Sequence, residues 1–87
     1  MYYVYALRSI KDGKFYIGHT DDLNKRVKLH NDGRVDSTKF RRPFELVYFE
    51  ASYNKLDTLK REKYLKTTYG HRYIKNRVMH YFQKACS

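Results

Sequence analysis

Three polar side chains fall where helix periodicity places apolar ones, and their chemistry suits a phosphate or a metal ion. On a helix beginning near Asp22, the residues Leu23, Arg26, Val27 and His30 share one stripe about 100° wide. A guanidinium and an imidazole are thus aimed at whatever this helix packs against. Either Arg26 snorkels to the edge and His30 bonds a strand carbonyl, or the two line a working site. On a later helix Leu59, Glu62, Leu65 and Tyr69 lie within roughly 120° of one another, which puts a carboxylate inside an apolar arc. Such a group is costly to bury unless it is paired or metal-bound. Lys66, at i+4, offers an ordinary helix pair; a divalent cation at a cleft is the other solution.

The elements that must position these groups follow from local signals. Tyr2 to Leu7 is rich in aromatic and β-branched residues and reads as a strand. Phe15-Tyr16-Ile17-Gly18 resumes the apolar run, and Asp12-Gly13 between them is a hairpin signal, so the first two strands pair antiparallel. Thr20-Asp21-Asp22 supplies an N-cap for a helix to about His30, which Asn31-Asp32-Gly33 ends. Residues 32 to 43 lack any period and close with Pro43, which predicts a surface loop. Phe44 to Glu50 reads as a third strand, with Leu46 and Tyr48 on one face and Val47 and Phe49 on the other. Its apolar centre suggests the middle of the sheet. A helix from Asn54 or Lys55 to Tyr69, stopped at Gly70, and another from His71 to Phe82 complete the order β-β-α-β-α-α.

Composition bounds the rest. Eighty-seven residues are expected to build one domain, and 41% hydrophobic with 17% aromatic residues argues against disorder. The formal charge is +10, and residues 51 to 87 hold nine bases against two acids. Cations interleaved with Tyr and Phe suit a polyphosphate backbone, although a basic surface also serves solubility or an anionic membrane. No run reaches the roughly 20 apolar residues of a membrane span, and the start MYYVYALRS lacks a secretory layout, so a cytoplasmic location is expected. The single Cys86 permits no internal disulfide and no cysteine zinc cluster.

Tyr3-Val4-Tyr5 and Tyr16-Ile17-Gly18, followed by a helix with Arg26 and His30, and then Arg61-Glu62-Lys63-Tyr64-Leu65-Lys66, together resemble the GIY-YIG nuclease superfamily. The likeness is nearest to small stand-alone members related to the N-terminal nuclease domain of the bacterial excision-repair incision subunit. It extends through Arg42-Pro43-Phe44 to Arg72-Tyr73-Ile74-Lys75-Asn76-Arg77 and covers nearly the whole chain, 1–87. Tyr3 and Val4 depart from the Gly and Ile of the family's first tripeptide.

The resemblance implies an α/β fold, a three-stranded antiparallel sheet flanked by helices, and metal-dependent endonucleolytic hydrolysis of DNA, in repair or recombination. It makes Tyr5, Tyr16, Arg26, His30 and Glu62 catalytic, Glu62 being the ligand of one Mg²⁺ or Mn²⁺ and Asn76 a late contact near the phosphates. A single ion on one carboxylate, retaining water ligands, would act as Lewis acid. Arg26 would stabilise developing charge. Tyr5 is the family's candidate base, but a phenol titrates near 10, so Arg26 and a metal-bound water would have to lower it. His30, or less so His19, needs no such shift. Tyr16 would orient the water. Substrate contacts are expected from Lys39, Arg41, Arg42, Arg72, Lys75 and Arg77. With no base-reading pattern, selectivity should be for structure rather than sequence, RNA is not excluded, and a partner protein or homodimer would supply targeting. The competing readings are a nucleic-acid-binding module that cleaves nothing and a basic interaction domain.

Overall fold

The computed structural model describes residues 1–81, so Cys86 and the expected helix end at Phe82 lie outside the described residues. Strands β1 (Tyr2–Ser9) and β2 (Phe15–Thr20) form the expected hairpin. Gly13 takes φ +73° in its turn, and the Asp12 side chain accepts from the Lys14 amide at 2.9 Å. Helix α1 (Leu23–Asn31) follows, capped by Asp22, whose carboxylate accepts from the Lys25 amide at 3.1 Å. A 3-10 turn, Lys39–Arg41, leads into β3 (Phe44–Ser52); α2 (Lys55–Leu65) and α3 (Thr68–Arg77) end the order β-β-α-β-α-α.

The three strands are antiparallel in the order β2-β1-β3. The centre therefore belongs to β1, not to β3 as the apolar run of β3 suggested. The reason lies in burial: Val4, Tyr5, Ala6 and Leu7 are all buried, so β1 is apolar on both faces. Beneath α1 lies a cluster of Tyr5, Leu7 and Phe44, with Leu23, Val27 and Leu46 around it. On the other face Val4, Ala6 and Ile17 pack against Leu65 and Ile74 from α2 and α3.

Register explains a second departure. Ala6 pairs with Tyr48 but Leu7 pairs with Leu46, so Val47 is an extra residue opposite Ala6 and Leu7. This bulge reverses the alternation along β3. Leu46 consequently joins the α1 face while Tyr48 joins the α2–α3 face, contrary to the expectation that they share one.

The boundary between the last helices is the third departure. α2 ends at Leu65, not at Tyr69, because Thr67 caps a new helix by accepting from the Gly70 amide at 3.1 Å. Gly70 lies in the first turn of α3, and a Cβ there would meet Leu65 Cα at 2.3 Å and Tyr64 O at 2.4 Å. It is glycine because two backbones touch, not because a helix stops. These contacts are with main chain, which has no rotamer to yield. Gly70→Ala is expected to destabilise the domain by about 2–3 kcal/mol, readable as a lower urea midpoint.

Candidate active site

Tyr5 and Gly18 are directly paired across β1 and β2, and the hydroxyl end of the phenol lies over the glycine. A Cβ at position 18 would meet Tyr5 Oη at 2.4 Å and Cζ at 2.6 Å. Gly18 thus provides the seat that brings the hydroxyl under α1. From α1, one turn apart, come Arg26 and His30. Arg26 Nε donates to Tyr5 Oη at 3.3 Å, and His30 Nε2 lies 2.9 Å from the same oxygen. Both residues of the polar stripe are explained: neither snorkels, and neither meets a strand carbonyl.

A fourth member had no signal in the sequence. Thr38 Oγ1 lies 2.8 Å from His30 Nδ1 and also bonds Val35 O at 3.4 Å. The hydroxyl has one proton, directed to the Val35 carbonyl, so it accepts from Nδ1–H. Nε2 is then unprotonated, and the Tyr5 hydroxyl donates to it. Tyr5, His30 and Thr38 are 1%, 0% and 1% exposed, so this chain is dry at its inner end. The loop expected to lie on the surface is buried at Thr38. Asn31 anchors it by a two-way bond with Phe44, its Oδ1 accepting from Phe44 N at 2.7 Å and its Nδ2 donating to Phe44 O at 3.1 Å.

The electrostatics favour the same placement of protons. Burial, with Arg26 as the lesser cause, pushes the His30 imidazole down to about 4. It is neutral at pH 7, with its Nε2 lone pair on Tyr5. Burial raises Tyr5 above its ordinary value; Arg26 opposes this without overcoming it, and the Glu62 charge adds to the rise. Arg26 by itself therefore does not lower Tyr5, and the resting phenol keeps its proton. Arg26 is held charged, first by Tyr5 and further by Tyr16. The Tyr16 ring is tilted 4.9 Å from His30 and 6.4 Å from Tyr5.

Glu62 approaches from the opposite side of the sheet. Alternation along β2 turns Tyr16 and Gly18 toward α1, and Ile17 and His19 toward α2. His19 Nδ1 lies 2.9 Å from Glu62 Oε2, while Lys66 is 3.9 Å from Oε1. The carboxylate is 15% exposed. Lys66 is a partner, as expected, but the closer one is His19. The alternation that puts His19 on the α2 face was its only signal. Arg26 lies under α1 beside Tyr5, and Glu62 lies on the α2 side beside His19. The two groups flank edge strand β2 and meet in their influence on Tyr5.

The expected substrate-contacting residues divide. Arg41 donates to Asp12 at 2.7 Å and to Lys14 O at 3.3 Å, tying the 3-10 turn to the hairpin. Arg42 bonds Lys39 O at 2.8 Å and packs over Gly33, while Lys39 lies 3.9 Å from Asp36. Arg77 stacks 5.6 Å from the Tyr73 ring. Asn76 is exposed on the last turn of α3. Lys75 shares a cleft with Arg41, and Arg72 adjoins it. No helix of the described residues is long and apolar enough to cross a membrane.

The chain is similar to several known proteins. The UPF0213 protein YazA of Bacillus subtilis is 47% identical over 57 residues, covering 64% of this chain and 58% of its own length. The UPF0213 protein SSP2268 of Staphylococcus saprophyticus is 43% identical over 67 residues, covering 76% of this chain and 80% of its own. The solution NMR structure of the UPF0213 protein BH0048 of Bacillus halodurans aligns with a TM-score of 0.47 at 38% identity, over 76% of this chain and 71% of that one. The model of the GIY-YIG catalytic domain matches residues 1–83, and the chain belongs to that family of nuclease domains.

Proposed function

We propose that the chain is a divalent-metal-dependent endonuclease that hydrolyses phosphodiester bonds in DNA, selecting structure rather than sequence. The observation that carries this reading is the triple meeting at Tyr5 Oη, with Arg26 Nε at 3.3 Å and His30 Nε2 at 2.9 Å. A buried phenol bonded to both a cation and an unprotonated imidazole gains little as packing, since Phe would fill the same space. It is well suited to moving a proton beside an anion.

The chemistry follows from those bonds. A water oxygen attacks phosphorus as the ester bond to the leaving oxygen breaks. Tyr5 Oη takes the water's proton while passing its own to His30 Nε2, so no free phenolate is needed. Thr38 keeps Nδ1–H engaged and Nε2 open. Arg26, permanently charged, stabilises the charge that grows on the phosphoryl oxygens. Tyr16, tilted beside both rings, helps hold the guanidinium charged.

One Mg²⁺ or Mn²⁺ would add charge neutralisation and Lewis acidity at the phosphate. Its donor set fits this chain: among the described residues no cage of three or more His, Cys, Asp or Glu exists, and such an ion characteristically uses one or two carboxylates with water and substrate phosphate. Glu62, partly exposed and hydrogen-bonded to His19, would hold it.

The test is a panel of labelled duplex, flap, four-way-junction and single-stranded DNA with Mg²⁺ or Mn²⁺. Arg26→Ala and Glu62→Ala are each expected to slow cleavage on the order of 100-fold. Equal rates for wild type and Glu62→Ala would remove the carboxylate from the mechanism. Salt-sensitive binding without product in any ion would leave a binding module in place of an enzyme.

A further inference from the structure

Beyond the reacting groups, two hollows that share His71 and Lys75 stand unexplained, one between the β1–β2 hairpin and α3 and the other on α3 itself. One, of 320 Å³, is lined by Lys14, Phe15, Arg41, His71 and Lys75 with Gly13; the other, of 350 Å³, shares His71 and Lys75 and adds Arg72 and Thr68. No carboxylate lines either. Arg41 is committed to Asp12. Lys14, Arg72 and Lys75 form no ion pair among the described residues, so three cations line these two adjoining hollows without neutralisation. Mutual repulsion makes this arrangement unfavourable until an anion enters. The wall is not featureless: Phe15 and His71 meet edge to face at 6.0 Å, and Arg72 lies 6.0 Å from the Tyr69 ring.

We infer that this trough seats backbone phosphates of the DNA strand flanking the cut, with Lys14, Lys75 and Arg72 as the contacting cations. Position supports that occupant over a small anion. Phe15 lies on the same face of β2 as His19, the partner of Glu62, four residues along the strand, which is roughly 13 Å. A duplex strand advances roughly 3.4 Å per phosphate, so the trough lies on the order of four nucleotide steps from the His19–Glu62 pair. Its two lobes accommodate successive charges. The identity of the strand rests on the nuclease reading; the anion site does not.

Binding without cleavage separates the two. A fluorescein-labelled DNA duplex, titrated with the whole chain in chelator over a salt series, gives the slope of log Kd against log salt. Lys14→Ala/Lys75→Ala is expected to weaken binding and to reduce the slope by about 2, one for each lost phosphate contact. Lys28→Ala/Lys60→Ala removes equal charge elsewhere and should change the slope by less than half as much. All four lysines are exposed, so thermal midpoints should not move. Equal slopes for the two double variants would overturn the trough, as would unchanged DNA binding with lost binding to phosphatidylserine vesicles. The expected slopes with no cleavage in any ion would keep the trough and sink the nuclease reading; cleavage with unaltered slopes would do the reverse.

Discussion

Tyr5→Phe is expected to lower the rate of DNA cleavage by about three orders of magnitude while the domain stays folded. The substitution deletes one oxygen and leaves the ring on its Gly18 seat, where a Cβ would lie 2.6 Å from Cζ. The lost atom is the one that both Arg26 Nε and His30 Nε2 address. Arg26 keeps its charge and its freedom to meet a phosphate. What disappears is the path from water to imidazole. His30 Nε2 is engaged through the Tyr5 hydroxyl at 2.9 Å, and without that hydroxyl the relay has lost its outer member.

The same geometry sets the pH profile against which that loss is read. The relay needs His30 neutral, and burial holds it down to about 4. The wild-type rate constant should therefore rise through an acid limb near pH 4 and show no inflection at the ordinary histidine value of about 6.5. The measurement is single-turnover cleavage from pH 3.5 to 9 for wild type and Tyr5→Phe. A residual rate within tenfold of wild type would show that Tyr5 passes no proton.

Much of this architecture was legible because it is local. Asp12-Gly13 and the Asp22 cap act within four residues, and the hairpin and α1 stand where those signals put them. The misplaced features depend on contacts distant in sequence. The bulge at Val47 exists only relative to Ala6 and Leu7 on β1, and no alternation within β3 announces it. Gly70 looked like a helix stop because glycine often is one; its real cause, the approach of Tyr64 and Leu65 backbone, is tertiary.

The site divides the same way. Arg26 and His30 betrayed themselves as polar groups on an apolar stripe, and Glu62 as an acid in an apolar arc. Their partners did not. Thr38 occupies an aperiodic loop, eight residues beyond the imidazole it orients, and His19 reaches Glu62 across 43 positions. Residues out of place reveal that a site exists, whereas the residues completing it obey every local rule and become visible only when the chain is folded.

Acidification offers a second large effect, independent of catalysis. His30 binds a proton near 6.5 in the unfolded chain but only near 4 when folded. Between those values the unfolded state carries the proton and the folded state does not, so stability is complete above about 6.5 and falls as pH drops toward 4. The loss amounts to about 3 kcal/mol, a large share of the roughly 5–15 kcal/mol that holds a domain together. Protonation would force a charge into the dry space beside Arg26 and take the lone pair from Tyr5. Asp12, held well below the usual carboxylate range by Arg41, gives up its contribution only as pH falls below its ordinary value of 3.8, a separate and lower window. Urea midpoints between pH 7 and 4.5 should therefore decline for wild type and stay nearly level for His30→Gln, whose amide starts from a lower baseline but has nothing to titrate. Parallel declines in the two proteins would assign the acid sensitivity to other groups and leave the buried imidazole without the perturbation on which the relay depends.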